Sequence, residues 1–397
     1  MAEVDAFRTE TRQWLEANFP PQLKGKTLGY EVTSGPDGEA LELWRSRLAD
    51  RGWGAPTWPV EYGGAGLTPT EAKVLAEELA SIDAMNPIPL LAGMGVTMVG
   101  PTVLEYGTQE QKAKHLPGIA SGAVRWCLGL SEPNAGSDLA SLATRAVDEG
   151  DNFVINGQKI WTSGANISQW CGAVVRTDAS VAKRKGISFV MLPMDQAGVR
   201  TRPISLISGD SPFCETFFDD AVAEKADLLG ELNDGWSVVK RLLQHERQSQ
   251  TGSRGGITPP PIEDLAKTYV GLDEDGELSD PDLRLRVADH LIDAEAHQLT
   301  VRRIRDEAKG KVEVSAAASI LKNSATGIQQ GRAELLVEIM GTQALGWAGD
   351  AFTDDEIAST RQWLSGKAIS IYGGSREVQN NIISKNILGL PETTQQG

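Results

Sequence analysis

Glu246 falls seven residues after Val239, four after Leu242 and three after Leu243, within the stretch 236–250. In a helix this spacing stacks all four on one face, so a carboxylate sits in the middle of an apolar stripe while Lys240, Arg241 and Gln244 turn away. A carboxylate aimed at a core is costly unless it is paired or used. Pairing would be a structural ion pair with Arg247 or with an arginine from a neighbouring helix. Use would be as a base, because a desolvated carboxylate has a raised pKa and takes protons readily.

Two other segments carry groups able to hold a ligand. Leu130-Ser131-Glu132-Pro133-Asn134-Ala135-Gly136-Ser137-Asp138 is rich in turn formers and has two hydroxyls. Its backbone N–H groups and hydroxyls can hold a polar ring edge or a pyrophosphate, although such a loop is more often just a turn. Trp161-Thr162-Ser163-Gly164 ends a strand. An exposed indole followed by hydroxyls can pack on a planar cofactor, whereas a buried one would be part of the core. Gly63-Gly64-Ala65-Gly66 is not a dinucleotide fingerprint, since it follows no predicted strand and Thr68-Pro69-Thr70 caps a new helix.

These segments must be positioned by three blocks of different periodicity. Residues 1–125 read as helices: Phe7, Thr11, Trp14 and Leu15 recur at helical spacing, and Val74, Leu75, Leu79 and Ile82 share a face. Gly35-Pro36-Asp37-Gly38 and Tyr62–Gly66 read as breaks between helices. Residues 126–230 read as strands. Phe153-Val154-Ile155, Asn156-Gly157 and Gln158-Lys159-Ile160-Trp161 predict a hairpin with a two-residue turn, and Ala173–Val175 and Ile187–Leu192 predict further strands. Residues 231–397 are helical again, with amphipathic runs at about 236–250, 283–308, 314–341 and 355–388, which predict a four-helix bundle. The fold class expected is mainly α with a barrel-like β domain in the middle.

Bulk properties narrow the function. The 397 residues carry a net charge of −16, which repels nucleic acid and anionic lipid. No window of about 18 apolar residues is present, so no membrane span is expected. The acidic start Met1-Ala2-Glu3-Val4-Asp5 does not read as a secretion signal. Cys127, Cys171 and Cys214 are too few and too scattered for a disulfide framework and read as reduced thiols in a cytoplasmic protein. With four histidines and no Cys/His cluster, no metal site is expected.

The segments Trp58–Gly64, Ser131–Asp138, Lys159–Gly164 and Ile371-Tyr372-Gly373-Gly374-Ser375, in this order, resemble the acyl-CoA dehydrogenase family over nearly the whole chain. The resemblance implies a helical N-terminal domain, a middle β domain and a C-terminal bundle, with FAD as cofactor. It implies that Leu128, Leu130 and Ser131 line the flavin pyrimidine edge, that Trp161 packs on the isoalloxazine and that Ser163 bonds near N5. Ser137 would reach the phosphate or pantetheine part of the ligands, and Ser375 and Glu377 would lie on the cofactor side. The implied reaction removes an α-proton and a β-hydride from an acyl-CoA, giving the trans-2-enoyl-CoA. Electrons would pass on to an electron-transfer flavoprotein or a similar acceptor.

This sequence departs from the family pattern at two places. Many members carry the base in a Tyr-Glu-Gly-Thr motif, where this chain has Tyr372-Gly373-Gly374-Ser375. A second branch, similar to the isovaleryl and long-chain enzymes, places a glutamate before an arginine on the first bundle helix, and here that pair is Glu246-Arg247. The resemblance and the helix-face reading therefore select the same base. Arg247 and the Gly373 N–H would contact substrate. The family also supplies an Arg-x-x-Phe-Gly segment and a Gln-x-x-Gly-Gly-x-Gly segment to the far end of the flavin. Here those places read Asp273-Glu274-Asp275-Gly276-Glu277 and Glu338–Ala344. A pyrophosphate would be repelled by these acids, so a second, cation-bearing subunit is expected. That assembly would resemble the bacterial heterotetramers that shorten sterol or bile-acid side chains, and a steroid or other bulky acyl group is the favoured substrate. The alternatives are a homotetramer, a non-catalytic partner subunit of a heteromer, and a related flavin oxidase or hydroxylase.

Overall fold

The computed structural model describes residues 2–26, 35–251, 260–308 and 320–391. Its helices and strands form two compact units. One comprises the chain to Ile204 together with Ser211–Thr258; the other comprises Ser205–Asp210 and the chain from Pro259 on.

The first unit opens with α1 (Ala2–Asn18), α2 (Gly35–Asp50), α3 (Pro69–Ser81), the single turn α4 (Ile88–Leu91), α5 (Gly100–Tyr106) and α6 (Gln109–Ala120). Thr68 caps α3 as expected: its hydroxyl accepts from Glu71 N–H at 3.3 Å and Glu71 accepts from Thr68 N–H at 2.9 Å. Gly35–Gly38 does not break helices but starts α2, consistent with the preference for proline in a first helical turn. Leu15, Trp44, Leu48, Leu75 and Leu79 form the core of α1–α3. Glu78 is buried beside them and is held by Arg8 Nη1 and Arg12 Nε, each at 2.7 Å.

The strands are β1 (Trp126–Gly129), β2 (Arg145–Glu149), β3 (Asn152–Ser163), β4 (Trp170–Arg176), β5 (Ile187–Pro193), β6 (Val199–Ile204), β7 (Phe213–Glu224) and β8 (Leu228–Leu229). They form one sheet of order β6-β7-β3-β2-β4-β5-β8, with β1 parallel to β4. The sheet is open and not a closed barrel, because its terminal strands do not pair with each other. Both suit an edge: β6 contains Pro203, which cannot donate to a further strand, and β8 is two residues long. On β4 and β5 the burial is nearly continuous. Val174, Phe189 and Met191 face one core with Leu116, Ile119 and Trp126, while Ala173, Val175, Val190 and Leu192 face the other. Cys127, Cys171 and Cys214 are free and buried in that second core.

The expected turn at Asn156-Gly157 is absent. These residues lie inside the continuous strand β3, where the register with β7 shifts between Ile155 and Gly157. Asn156 uses its side chain instead: Nδ2 donates to Asp220 Oδ1 at 2.9 Å, and Oδ1 accepts from Asp220 N–H at 3.0 Å. The turn is made earlier, by Gly150-Asp151 between the paired residues Glu149 and Asn152, and Gly150 has φ +77°.

α7 (Gly235–Thr251) lies in the first unit, where Val238, Val239 and Leu242 join the core of Val174 and Phe189.

The second unit contains α8 (Ile262–Tyr269), α9 (Pro281–Ala308), α10 (Leu321–Met340), α11 (Asp354–Ser365) and α12 (Arg376–Ile382). Ile262, Ala266, Leu283, Val287, Leu335 and Ile339 are its core. The run 355–388 is not one helix. It is broken between α11 and α12, where Gly373 and Gly374 take φ values of +66° and +93° that other residues avoid. Residues 309–319, the expected start of a helix at 314, lie outside the described residues, as do Gly252, Gly255 and Gly256, which by composition mark a helix end. Among the described residues no helix is long and apolar enough to cross a membrane.

Candidate functional site

The loop after β1 is organised around a buried ion pair. Lys159 Nζ donates to Glu132 Oε1 at 2.8 Å and to the carbonyl of Leu130 at 3.2 Å. Glu132 also accepts from Ala143 N–H at 2.6 Å and from Thr144 N–H at 2.9 Å. Burial opposes ionisation of Glu132, but the Lys159 charge and these donors hold its carboxyl below the usual range. Burial in turn pulls the Lys159 ammonium down, against the attraction of Glu132. The carbonyl of Ser131 accepts from Ile160 N–H at 2.9 Å, which ties this loop directly to β3. Leu128 is buried, Leu130 and Ser131 are half-buried, and Ser137 is exposed at the far end of the loop. Asp138 beside it bonds the Ser141 hydroxyl and Lys183 Nζ.

Trp161 is presented by a second irregularity in β3. Lys159 pairs with Thr216 and Thr162 with Cys214, so β3 spends one residue more than β7 across this step. Trp161 takes up the surplus with φ +62°, a conformation costing a bulky residue about 1–2 kcal/mol. Its indole is 53% exposed and meets Phe213 edge-on at 6.1 Å between ring centres. Ser163 is half-buried at the end of the strand, and Gly164 N–H donates to Pro212. An exposed indole, the hydroxyls of Ser131 and Ser163 and the loop amides are uncharged groups of the kind that suits a planar heteroaromatic ring, so their chemistry is compatible with the isoalloxazine of FAD.

α7 brings Glu246 to the same unit. Glu246 is half-buried, one turn beyond the fully buried Leu242. Leu128 and Leu242 belong to one core, with Leu130 and Leu243 packed against it. His245 takes a deeper position than Glu246, with Nε2 3.3 Å from Glu105 Oε1. Arg241 clamps the same carboxylate through Nε and Nη2 at 2.5 and 2.6 Å, which fixes α7 to α5. The side chain of Arg247 lies outside the described residues.

Gly373, Ser375 and Glu377 belong to the second unit. Ser375 caps α12, its hydroxyl accepting from Val378 N–H at 3.3 Å, and Glu377 lies in the first turn. The backbone N–H and the Ser375 hydroxyl hold the Glu377 carboxyl below its usual range. In the same unit, Asp273 closes a tight turn by accepting from Asp275 N–H at 3.0 Å and Glu277 N–H at 2.9 Å. Glu338 is taken by Arg286 Nη1 at 2.6 Å.

The structure thus gathers Leu128, Leu130, Ser131, Ser137, Trp161, Ser163 and Glu246 in one unit and places Gly373, Ser375 and Glu377 in the other. The sequence reading passed over Lys159 and Glu132. Lys159 left one trace, a charged residue on a strand whose inward positions are otherwise apolar or small; Glu132, next to a proline in a turn, left none.

Three acyl-CoA dehydrogenase domain descriptions match the chain: the N-terminal domain over residues 1–123, the middle domain over 127–221 and the C-terminal domain over 233–388. The chain is 36% identical to acyl-CoA dehydrogenase IpdE1 of Mycolicibacterium smegmatis, over 98% of this chain and 99% of that protein. Among solved structures it is similar to the Tcur3481-Tcur3483 steroid ACAD, with a TM-score of 0.77 and 30% identity over 99% of each chain. It is also similar to the ChsE4-ChsE5 complex from Mycobacterium tuberculosis, with a TM-score of 0.75 and 29% identity over 99% of each chain.

Proposed function

The chain belongs to the acyl-CoA dehydrogenase family, and from that premise we propose that Glu246 is the base of an α,β-dehydrogenation. The protein is an FAD-dependent oxidoreductase acting on an acyl-CoA thioester. Bound FAD supplies the hydride acceptor; the chain must supply the proton acceptor and the binding groups. The observation that carries the reading is Glu246 itself, half-buried on α7 and one turn from Leu242, in the unit that also presents Ser131 and Trp161. A carboxylate at the edge of an apolar face is a group of the right type to accept the weakly acidic α-proton. Leu128, Leu130, Ser131, Trp161 and Ser163 are assigned to the flavin and Ser137 to the phosphate or pantetheine region. Gly373 N–H is assigned to the thioester carbonyl, where a donor strengthens as enolate charge grows. Arg247, Ser375 and Glu377 keep the assignments made by motif.

The test is Glu246→Gln. It should retain FAD and lose dehydrogenation by roughly three orders of magnitude. Anaerobic bleaching of the flavin by acyl-CoA esters reads both properties, and undiminished bleaching in this variant would sink the assignment.

For the substrate, a steroid or similarly bulky acyl group is favoured by the small residues at Gly373-Gly374 and by the likeness to a steroid ACAD. For the assembly, a heterotetramer with a second subunit of this family is favoured by the acidic turn 273–277 standing where the family carries an arginine. The likeness to the ChsE4-ChsE5 complex supports it. An electron-transfer flavoprotein or similar acceptor completes the cycle. Full FAD occupancy and turnover by the chain expressed alone would refute the mixed assembly.

A further inference from the structure

A lysine whose side chain is wholly shielded from solvent needs a reason to be there, since an apolar residue of similar length would fill the space without the cost of desolvating a charge. Lys159 spends its charge on two acceptors. One is Glu132, at 2.8 Å; the other is the main-chain carbonyl of Leu130, at 3.2 Å. The second bond has a geometric consequence. A peptide unit is planar and trans, so the Leu130 carbonyl and the Ser131 N–H point in opposite directions. Drawing the carbonyl inward to Lys159 turns the Ser131 N–H outward. Among the described residues that N–H meets no protein acceptor, while the Ser131 carbonyl is fixed by Ile160 N–H at 2.9 Å.

We propose that Lys159 is a positioning residue: by holding the Leu130 carbonyl beneath the loop, it presents the Ser131 N–H and hydroxyl as a paired donor to the ring edge of the cofactor. The proposal rests on the assignment of 128–131 to the flavin. Glu132 has a different part. Besides neutralising Lys159 it fastens Ala143 and Thr144, the segment entering β2, so it secures the base of the loop without orienting its donors. The two members of one ion pair should therefore fail differently when replaced.

The experiment compares wild type, Lys159→Met, Glu132→Gln and the double variant E132Q/K159M, each purified with its natural partner subunit. Three quantities are read: the melting temperature of the apoprotein, the FAD dissociation constant from flavin fluorescence, and the absorption bands of bound FAD. The double variant is included because K159M alone leaves a buried acid without its cation, which is strongly destabilising. Loss of one oriented hydrogen bond corresponds to about a tenfold change in affinity. The expected result is FAD binding about tenfold weaker, with shifted absorption bands, in every folded variant lacking Lys159. E132Q should keep near wild-type affinity while melting earlier. If folded Lys159 variants bind FAD as wild type does, with unshifted bands, the lysine merely fills space and the proposal is overturned. It is equally overturned if E132Q loses as much affinity as the lysine variants. Wild-type protein, purified with its natural partner subunit, that takes up no FAD would overturn the flavin assignment and this proposal with it; wild-type uptake with unchanged variants overturns this proposal alone.

Discussion

Lys159 and Trp161 stand two residues apart on β3 yet face opposite environments: the lysine side chain is fully buried, and the indole is 53% exposed. In a regular strand residues two apart share a face. The extra residue that β3 carries between Lys159 and Thr162 breaks that rule, so one short segment both anchors the loop at Leu130 and displays an aromatic surface.

Replacing Trp161 by glycine should separate strain from ligand contact. Glycine accepts φ +62° at no steric cost, which recovers about 1 kcal/mol against the lost contact with Phe213. Apoprotein stability should change by less than about 1 kcal/mol, while FAD binds about tenfold more weakly. Urea unfolding and FAD titration measure the two effects; unchanged FAD affinity would remove Trp161 from the site.

Acid should loosen the loop through Glu132. Its folded-state pKa is depressed, so its stabilisation is present above the ordinary carboxylate value of about 4.3 and is lost as pH falls through the depressed value. The wild-type melting temperature should therefore fall more steeply than that of Glu132→Gln between about pH 4.3 and lower values. Parallel curves for the two proteins would show that Glu132 does not supply this part of the acid response.

Gly235 lets α7 start against β5. A Cβ there would lie 2.4 Å from the main-chain carbon of Ser188, and backbone cannot move aside as a flexible side chain does. Gly235→Ala should cost about 1–3 kcal/mol and shift the helix that bears Glu246. A displacement of that kind should lower kcat/KM by about tenfold or more. Thermal unfolding and steady-state kinetics would check this, and a variant with wild-type kinetics would show that α7 tolerates the displacement.

Asp227 ties β8 to α6. Its carboxylate, 2% exposed, lies 2.8 Å from both His115 Nε2 and Lys114 Nζ. Burial opposes its ionisation, yet the bonds from His115 and Lys114 hold the carboxyl below its usual range. Asp227→Ala should destabilise the first unit by about 1–3 kcal/mol, because the buried His115 loses its hydrogen-bond partner and the exposed Lys114 its counter-charge. Urea unfolding monitored by circular dichroism measures the loss.

Much of the architecture was legible in local pattern. The face of Val74, Leu75 and Leu79, the cap at Thr68, the strands through Val174 and Phe189 and the helix carrying Glu246 all follow from period, capping and turn chemistry, which are short-range effects. The types of Ser131, Trp161 and Glu246 left open a plain turn, a core indole and an ion pair beside a planar cofactor and a base; it is the matching domain descriptions that show the family.

Long-range contacts decided what local pattern could not. Asn156-Gly157 has the composition of a turn, but β7 lies alongside and Asp220 satisfies the asparagine side chain, so the pair is absorbed as a bulge. The run 355–388 has the composition of a helix, but Gly373-Gly374 turns the chain between α11 and α12. Nothing local explains Lys159 until Glu132, 27 residues earlier, is folded against it. A periodicity records which way a side chain points along its own element; only packing decides what it meets there, and a buried charge is stable only where distant residues supply its partners.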